Sequence, residues 1–205
     1  MVKILSHTDN EAITVAIEKA EKKTCAEIAI AITPASDAYF DVVLLCGLLL
    51  SALVTLSLYE GGITTDYVEL LAVQIAILSA LYFVRPLHRL CIRLVPRAIK
   101  EHRCARRAME EYHAIHRQLP VAAPFVLLFV SSAERYAHVL PSRVVHEKIS
   151  GEHWDAVIKD FVTAAPSGLA KACIVSIEHI SVITAEHFPE NGRHHNFSNQ
   201  PIENE

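Results

Sequence analysis

Two acids offer the chain its best prospects for chemistry. Glu27 lies in the alternating run Ala26-Glu27-Ile28-Ala29-Ile30-Ala31-Ile32, and Glu134 lies in Ser132-Ala-Glu134, between two apolar runs. A strand carboxylate and a turn carboxylate that face one cleft are the parts of general acid–base work or of a hard-cation site. The plainer alternative puts Glu27 on the solvated side of an edge strand and pairs Glu134 with Arg135 or a nearby base, the ordinary state of surface acids. His187, His194 and His195 fit no common ligand spacing, and a flexible tail offers them no supporting hydrogen bonds, so no metal site is expected there. Ser131-Ser132 lacks the glycines that flank a nucleophile elbow, and the chain has no Gly-rich phosphate loop. Cys25, Cys46, Cys91, Cys104 and Cys173 are odd in number and contain no C-x-x-C pair, so neither a zinc knuckle nor a disulfide framework is indicated.

The elements that must position these residues follow from periodicity. Ser6 and Asp9 have capping-box spacing, and Ile13, Ile17 and Ala20 then recur at helical intervals. Ala26 to Ile32 reads as a strand that stops at Thr33-Pro34. Pro124 to Ser131 is a short continuous apolar run suited to a buried strand, and Arg135 to Leu140 returns beside it as a hairpin. Trp154, Val157, Ile158 and Phe161 share a helix face, with Trp154 a core anchor. Leu169 to Phe188 forms another helix, with Ile174, Ile177, Ile180 and Ile183 along it.

Between the early strand and the late ones lie two apolar stretches, Val42 to Tyr59 and Tyr67 to Val84, joined by EGGITTD. About eighteen helical residues rise roughly 27 Å, near the hydrocarbon thickness of a bilayer. The expected element is a two-helix transmembrane hairpin, with Glu69 in the first turn of its second helix and Gln74 inside it. From Arg85 to Arg107 the chain carries Arg85, Arg89, Arg93, Arg97, Lys100, Arg103, Arg106 and Arg107 against Glu101. Positive charge favours the cytoplasmic side, which places both termini there and the turn outside. Tyr39, Tyr59, Tyr67 and Tyr82 lie at or near the span ends, where interfacial rings are favoured. No cleavable signal peptide is expected in MVKILSHTDNEAI, which lacks an apolar core.

The 205 residues, a hydrophobic fraction of 52% and a net charge of −4 suit one modest domain plus a hairpin and argue against nucleic acid as a partner. The expected organisation is a first domain part at 1–36, the hairpin at 42–84, a basic juxtamembrane helical segment at 85–117, a second domain part at 118–190, and a polar tail at 191–205.

Thr24-Cys-Ala-Glu27-Ile28 before the hairpin, then LLFVSSAERYAHVL, Glu147-Lys148, Trp154 and Glu186-His187-Phe188-Pro189 in that order, resemble bacterial membrane-anchored proteins of the TPM domain family. The resemblance spans nearly the whole chain. It implies an α/β fold, a small mixed sheet flanked by helices in a TPM-like sandwich, here interrupted by the transmembrane hairpin. Phosphatase activity and calcium binding have been attributed to some members of that family, and others assist membrane complexes. Three departures stand out: Val121-Ala-Ala-Pro124 before the central strand, Pro141-Ser142 where relatives often carry an acid, and Asn199-Gln200-Pro201 at the close. The missing acid weakens a calcium site, which needs several oxygen ligands. The expected function is therefore an interaction or assembly module in the cytoplasmic (inner) membrane, multi-pass, with the lipid bilayer and an unidentified membrane protein as partners and no cofactor. Metal-dependent phosphatase activity is the alternative that the resemblance implies.

Overall fold

The computed structural model describes residues 5–63, 66–84, 95–120, 122–190 and 202–203. The chain divides into two compact units, residues 1–36 with 101–205, and residues 37–100.

The first unit begins with α1 (His7–Glu21), started by a reciprocal cap in which the Asp9 N–H donates to Ser6 Oγ and the Ser6 N–H to Asp9 Oδ2, each at 3.1 Å. Strand β1 (Glu27–Thr33) pairs in parallel with β2 (Phe125–Ser131), from Glu27 opposite Phe125 to Thr33 opposite Ser131. A turn with Arg135 in the left-handed region, φ 52°, leads to β3 (Tyr136–Pro141), which runs antiparallel to β2. On the other side of β1, β4 (Ile202–Glu203) pairs in parallel, giving the order β3-β2-β1-β4. The early strand thus joins the late ones in one small mixed sheet. Part of the expected polar tail belongs to that sheet, because Ile202 supplies an apolar residue to its edge.

Both faces of the sheet are covered, which is why β1 and β2 are buried along their whole length. Ile28, Ile30 and Ile32 of β1 pack with α1 through Ile13 and Ile17. On the same face lie α6 (Gly151–Ala164), through Trp154, Val157 and Phe161, and α7 (Leu169–His187), through Ile177 and Ile180. Ala29 and Ala31 point the other way, towards Cys104, Ala108 and Ile115 of α4 (Arg97–His116). Between β3 and α6 sits the short α5 (Arg143–His146). The basic segment at 85–117 is consequently not a separate element. From Glu101 onward it belongs to the α/β domain, where Cys104, Ala108 and Ile115 share a buried cluster with Ala29 and Ala31. Its residues 85–94 lie outside the described residues.

The second unit holds α2 (Phe40–Glu60) and α3 (Tyr67–Phe83), which pack antiparallel. Phe40 meets Tyr82 at one end with ring centroids 5.2 Å apart, and near the other Gln74 Nε2 donates to Thr55 Oγ1 at 3.4 Å. Val43, Gly47, Ser51 and Thr55 recur every four residues on the buried face of α2. A Cβ at Gly47 would lie 2.7 Å from Leu78 Cδ2, so a larger residue there must displace the Leu78 side chain. At 21 residues α2 is long and apolar enough to cross a membrane; the 17 residues of α3 fall short of that length, so of the two expected spans one meets the criterion.

Candidate functional site

The carboxyl ends of β1 and β2, the region where parallel α/β sheets commonly place ligands, gather a connected group of polar side chains. Ser131 ends β2 and is fully buried, and its hydroxyl donates to the Glu134 carboxylate in the following turn. Ser36, three residues beyond the end of β1, donates to the same carboxylate twice, through its N–H at 3.1 Å and its hydroxyl at 2.9 Å. Cys104 reaches in from α4, and its thiol donates to Ser36 Oγ at 3.2 Å. The side chains thus form a directed chain, thiol to hydroxyl to carboxylate, with a second hydroxyl closing on the carboxylate from β2.

Local sequence explains the arrangement. Thr33 and Ser131 are the last residues of their strands and lie opposite each other in register, so small polar side chains replace the apolar ladder there. The Thr33 hydroxyl donates to the Ala35 carbonyl at 2.8 Å, and the Ser132 N–H to the Thr33 carbonyl at 3.1 Å. These bonds bring the two strand ends and their loops together.

Burial pushes the Cys104 thiol above the ordinary range. Hydrogen bonding with Ser36 and Ser131 acts against this, while the nearby Glu134 carboxylate pushes the same way as burial. Burial also raises Tyr136, with contributions from Cys104 and Glu101. A thiol held neutral is a poor nucleophile. Ser131 is paired with a carboxylate but has no exposed surface from which to attack a substrate. Glu134 accepts from three groups of its own chain, which is the setting of a carboxylate that ties strand ends together.

Glu27 does not join this cluster. It lies at the start of β1, six residues from Thr33, so at ~3.3 Å per residue the two acids sit at opposite ends of the sheet, roughly 20 Å apart. The two acids therefore do not face one cleft, the sharper of the two readings that the sequence offered. Nor is Glu27 a solvated edge residue: it is 1% exposed, at the start of a strand that is buried along its whole length. His187 is exposed at the end of α7, His194 and His195 lie outside the described residues, and among the described residues no cluster of three metal-ligating side chains occurs. Trp154 is buried in the core beneath α6, as its spacing suggested. Ser131 lies three positions from Glu134, but sequence reading had no means to add Ser36, which is 68 positions from Cys104 and 98 from Glu134. The usable signal was the change from apolar to hydroxyl residues where each central strand stops.

No family model matches the chain, and no curated protein matches it. Among solved structures it is similar to the NMR structure of the BA42 protein from the psychrophilic bacterium Bizionia argentinensis, with a TM-score of 0.61 over 100% of this chain and 98% of that one. At 14% identity this likeness shows the fold alone.

Proposed function

We propose that α2 and α3 cross the bilayer as a hairpin and that the α/β domain, TPM-like in its sequence pattern, is a cytoplasmic interaction or assembly module for a membrane complex. The observation that carries the reading is the outer surface of α2. Leu44, Leu45, Leu48, Leu49, Leu53 and Leu56 are each at least half exposed, and 22% of the apolar window of α2 is buried. A core helix of a soluble protein would be mostly covered, whereas an apolar surface of this extent marks contact with lipid or protein. The inner face supports the same reading. Its small residues at four-residue spacing are the pattern that lets membrane helices approach closely, and Thr55 gives Gln74 a partner away from lipid. The 17 residues of α3 rise about 26 Å, a few ångströms short of the hydrocarbon core, a mismatch that bilayers absorb at modest cost. The basic run from Arg85 to Arg107 favours cytoplasmic termini.

Within the domain, Glu134 and its donors support an architectural role over turnover. The metal-dependent phosphatase implied by the resemblance is tested directly by purified protein in lipid nanodiscs with a phosphate monoester, with and without calcium. No turnover above that of a Glu134→Gln variant is expected. Hydrolysis by the native chain that the variant loses would replace the module reading by the enzyme. Alkaline carbonate extraction tests the anchor: the chain should stay with the membrane pellet, and its release into the supernatant would overturn the membrane assignment.

A further inference from the structure

We infer that the exposed face of α1 is a homodimer surface, on which α1 of a second copy lies antiparallel about a two-fold axis at Val15. The face is an open groove between α1 and α7, with Ala12, Val15 and Ala16 on one wall and Ile174 on the other. Val15 is 47% exposed in the middle of it. The Ser181 hydroxyl donates to the Ala20 carbonyl at 3.4 Å and holds one end of α1 against α7. Alanines at 12 and 16 keep the α1 wall low, and small side chains at a contact are what let two helices approach closely.

The charge pattern along α1 identifies the occupant. Thr8, Glu11, Val15, Lys19 and Lys22 all line the groove, and steps of three and four residues keep them on one helix face. They are spaced symmetrically about Val15. A two-fold axis there reverses their order, so it sets Glu11 opposite Lys19 of the second copy and Thr8 opposite Lys22, each contact made twice. Lys19 and Lys22 meet no acid of their own chain among the described residues, and Glu11 meets only the exposed His7, at 3.2 Å. Glu11 and Lys19 of one chain stand eight residues apart, about 12 Å along the axis, too far to pair with each other. The helix dipole accounts for an acid early in α1 and lysines late. It does not account for their sharing one face with an exposed valine. A uniformly acidic partner would meet Glu11 and Glu178 in the same groove, so charge favours a second copy over an acidic peptide. Both walls belong to the α/β domain, and the inference therefore goes beyond the membrane reading and does not depend on it.

The test is self-crosslinking of the full chain in cells, on a background without native cysteines. A residue on a two-fold axis meets its own copy, so Val15→Cys should give a product of twice the chain mass with a short, membrane-permeant bifunctional maleimide. Glu152→Cys, exposed in the first turn of α6, should not. With Val15→Cys in place, either Glu11→Lys or Lys19→Glu sets like charges opposite each other twice, and the crosslinked fraction should fall roughly tenfold. The double exchange, Glu11→Lys with Lys19→Glu, rebuilds both pairs and should restore the product. Dipole interactions within α1 worsen with each exchange, so an effect on helix stability alone would be largest in the double variant. Trp154 fluorescence during unfolding verifies that each purified chain is folded. Absence of the Val15→Cys product, a product with another protein only, single exchanges without effect, or a double variant no better than the singles would overturn the inference.

Discussion

Replacing Glu134 by alanine should destabilise the α/β domain well beyond what an exposed acid would. The carboxylate accepts from the Ser36 N–H, the Ser36 hydroxyl and the Ser131 hydroxyl. A hydrogen bond to a charged group contributes about 1.5–3 kcal/mol net, but Ser36 is only half-buried and water can replace part of its loss. Ser131 is fully buried, so its orphaned hydroxyl alone should cost about 1–3 kcal/mol. The total expected is about 2–4 kcal/mol, a sizeable share of the ~5–15 kcal/mol that holds a domain. Trp154, the chain's single tryptophan, sits in the core of this domain and reports its unfolding separately from that of α2 and α3. With a urea slope of ~2 kcal/mol/M, the midpoint should fall by about 1–2 M. Adding Ser131→Ala should recover part of the loss, because the orphaned hydroxyl is then gone, so the pair should be clearly non-additive. A midpoint lowered by less than about 0.3 M, or strict additivity, would refute the reasoning.

Gly47→Leu should push α3 away from α2, because the first added carbon already lies 2.7 Å from Leu78; overpacking of this kind costs about 1–3 kcal/mol, and crosslinking between cysteines placed at Thr55 and Gln74 should become less efficient. Replacing residues 37–100 by a flexible linker should give a soluble domain with a cooperative transition, whereas extending the replacement to 37–117 removes α4, bares Phe125, Leu127 and Phe129, and should give aggregates on size exclusion. Cys173, fully buried and pushed up to about 12, is neutral in the folded state, so it contributes stability that is intact below the ordinary thiol range and lost as pH rises from about 9 towards 12. Unfolding curves of the native chain and Cys173→Ala should therefore diverge in slope above about pH 9, and neither Cys104 nor Cys173 should react with a thiol reagent before denaturant is added.

The elements of this fold were legible where one physical signal dominated. The cap at Ser6, the Ile/Ala alternation of β1 and the apolar run of β2 each point to one local structure, and β1, β2 and α7 form within a residue or so of the expected ends. What the sequence concealed was lateral placement. The Ala/Ile alternation of β1 reads as an edge strand with one wet face, yet Ala29 and Ala31 lie in a second buried cluster with Cys104, Ala108 and Ile115 of α4. The same error put Glu27 in water and α4 outside the domain. The partnership of Ile202 with Ala31 and the gathering of Ser36, Cys104 and Ser131 about Glu134 depend on contacts that no local period encodes.

The claim most exposed to test is that α2 and α3 form a membrane hairpin whose turn faces away from the cytoplasm. On a background without native cysteines, single cysteines at Gly62 and Asn204 are treated in intact cells with a membrane-impermeant maleimide. Gly62→Cys should label in intact cells, and Asn204→Cys only after permeabilisation. Labelling of Asn204→Cys in intact cells, or of neither position until the membrane is opened, would contradict the account.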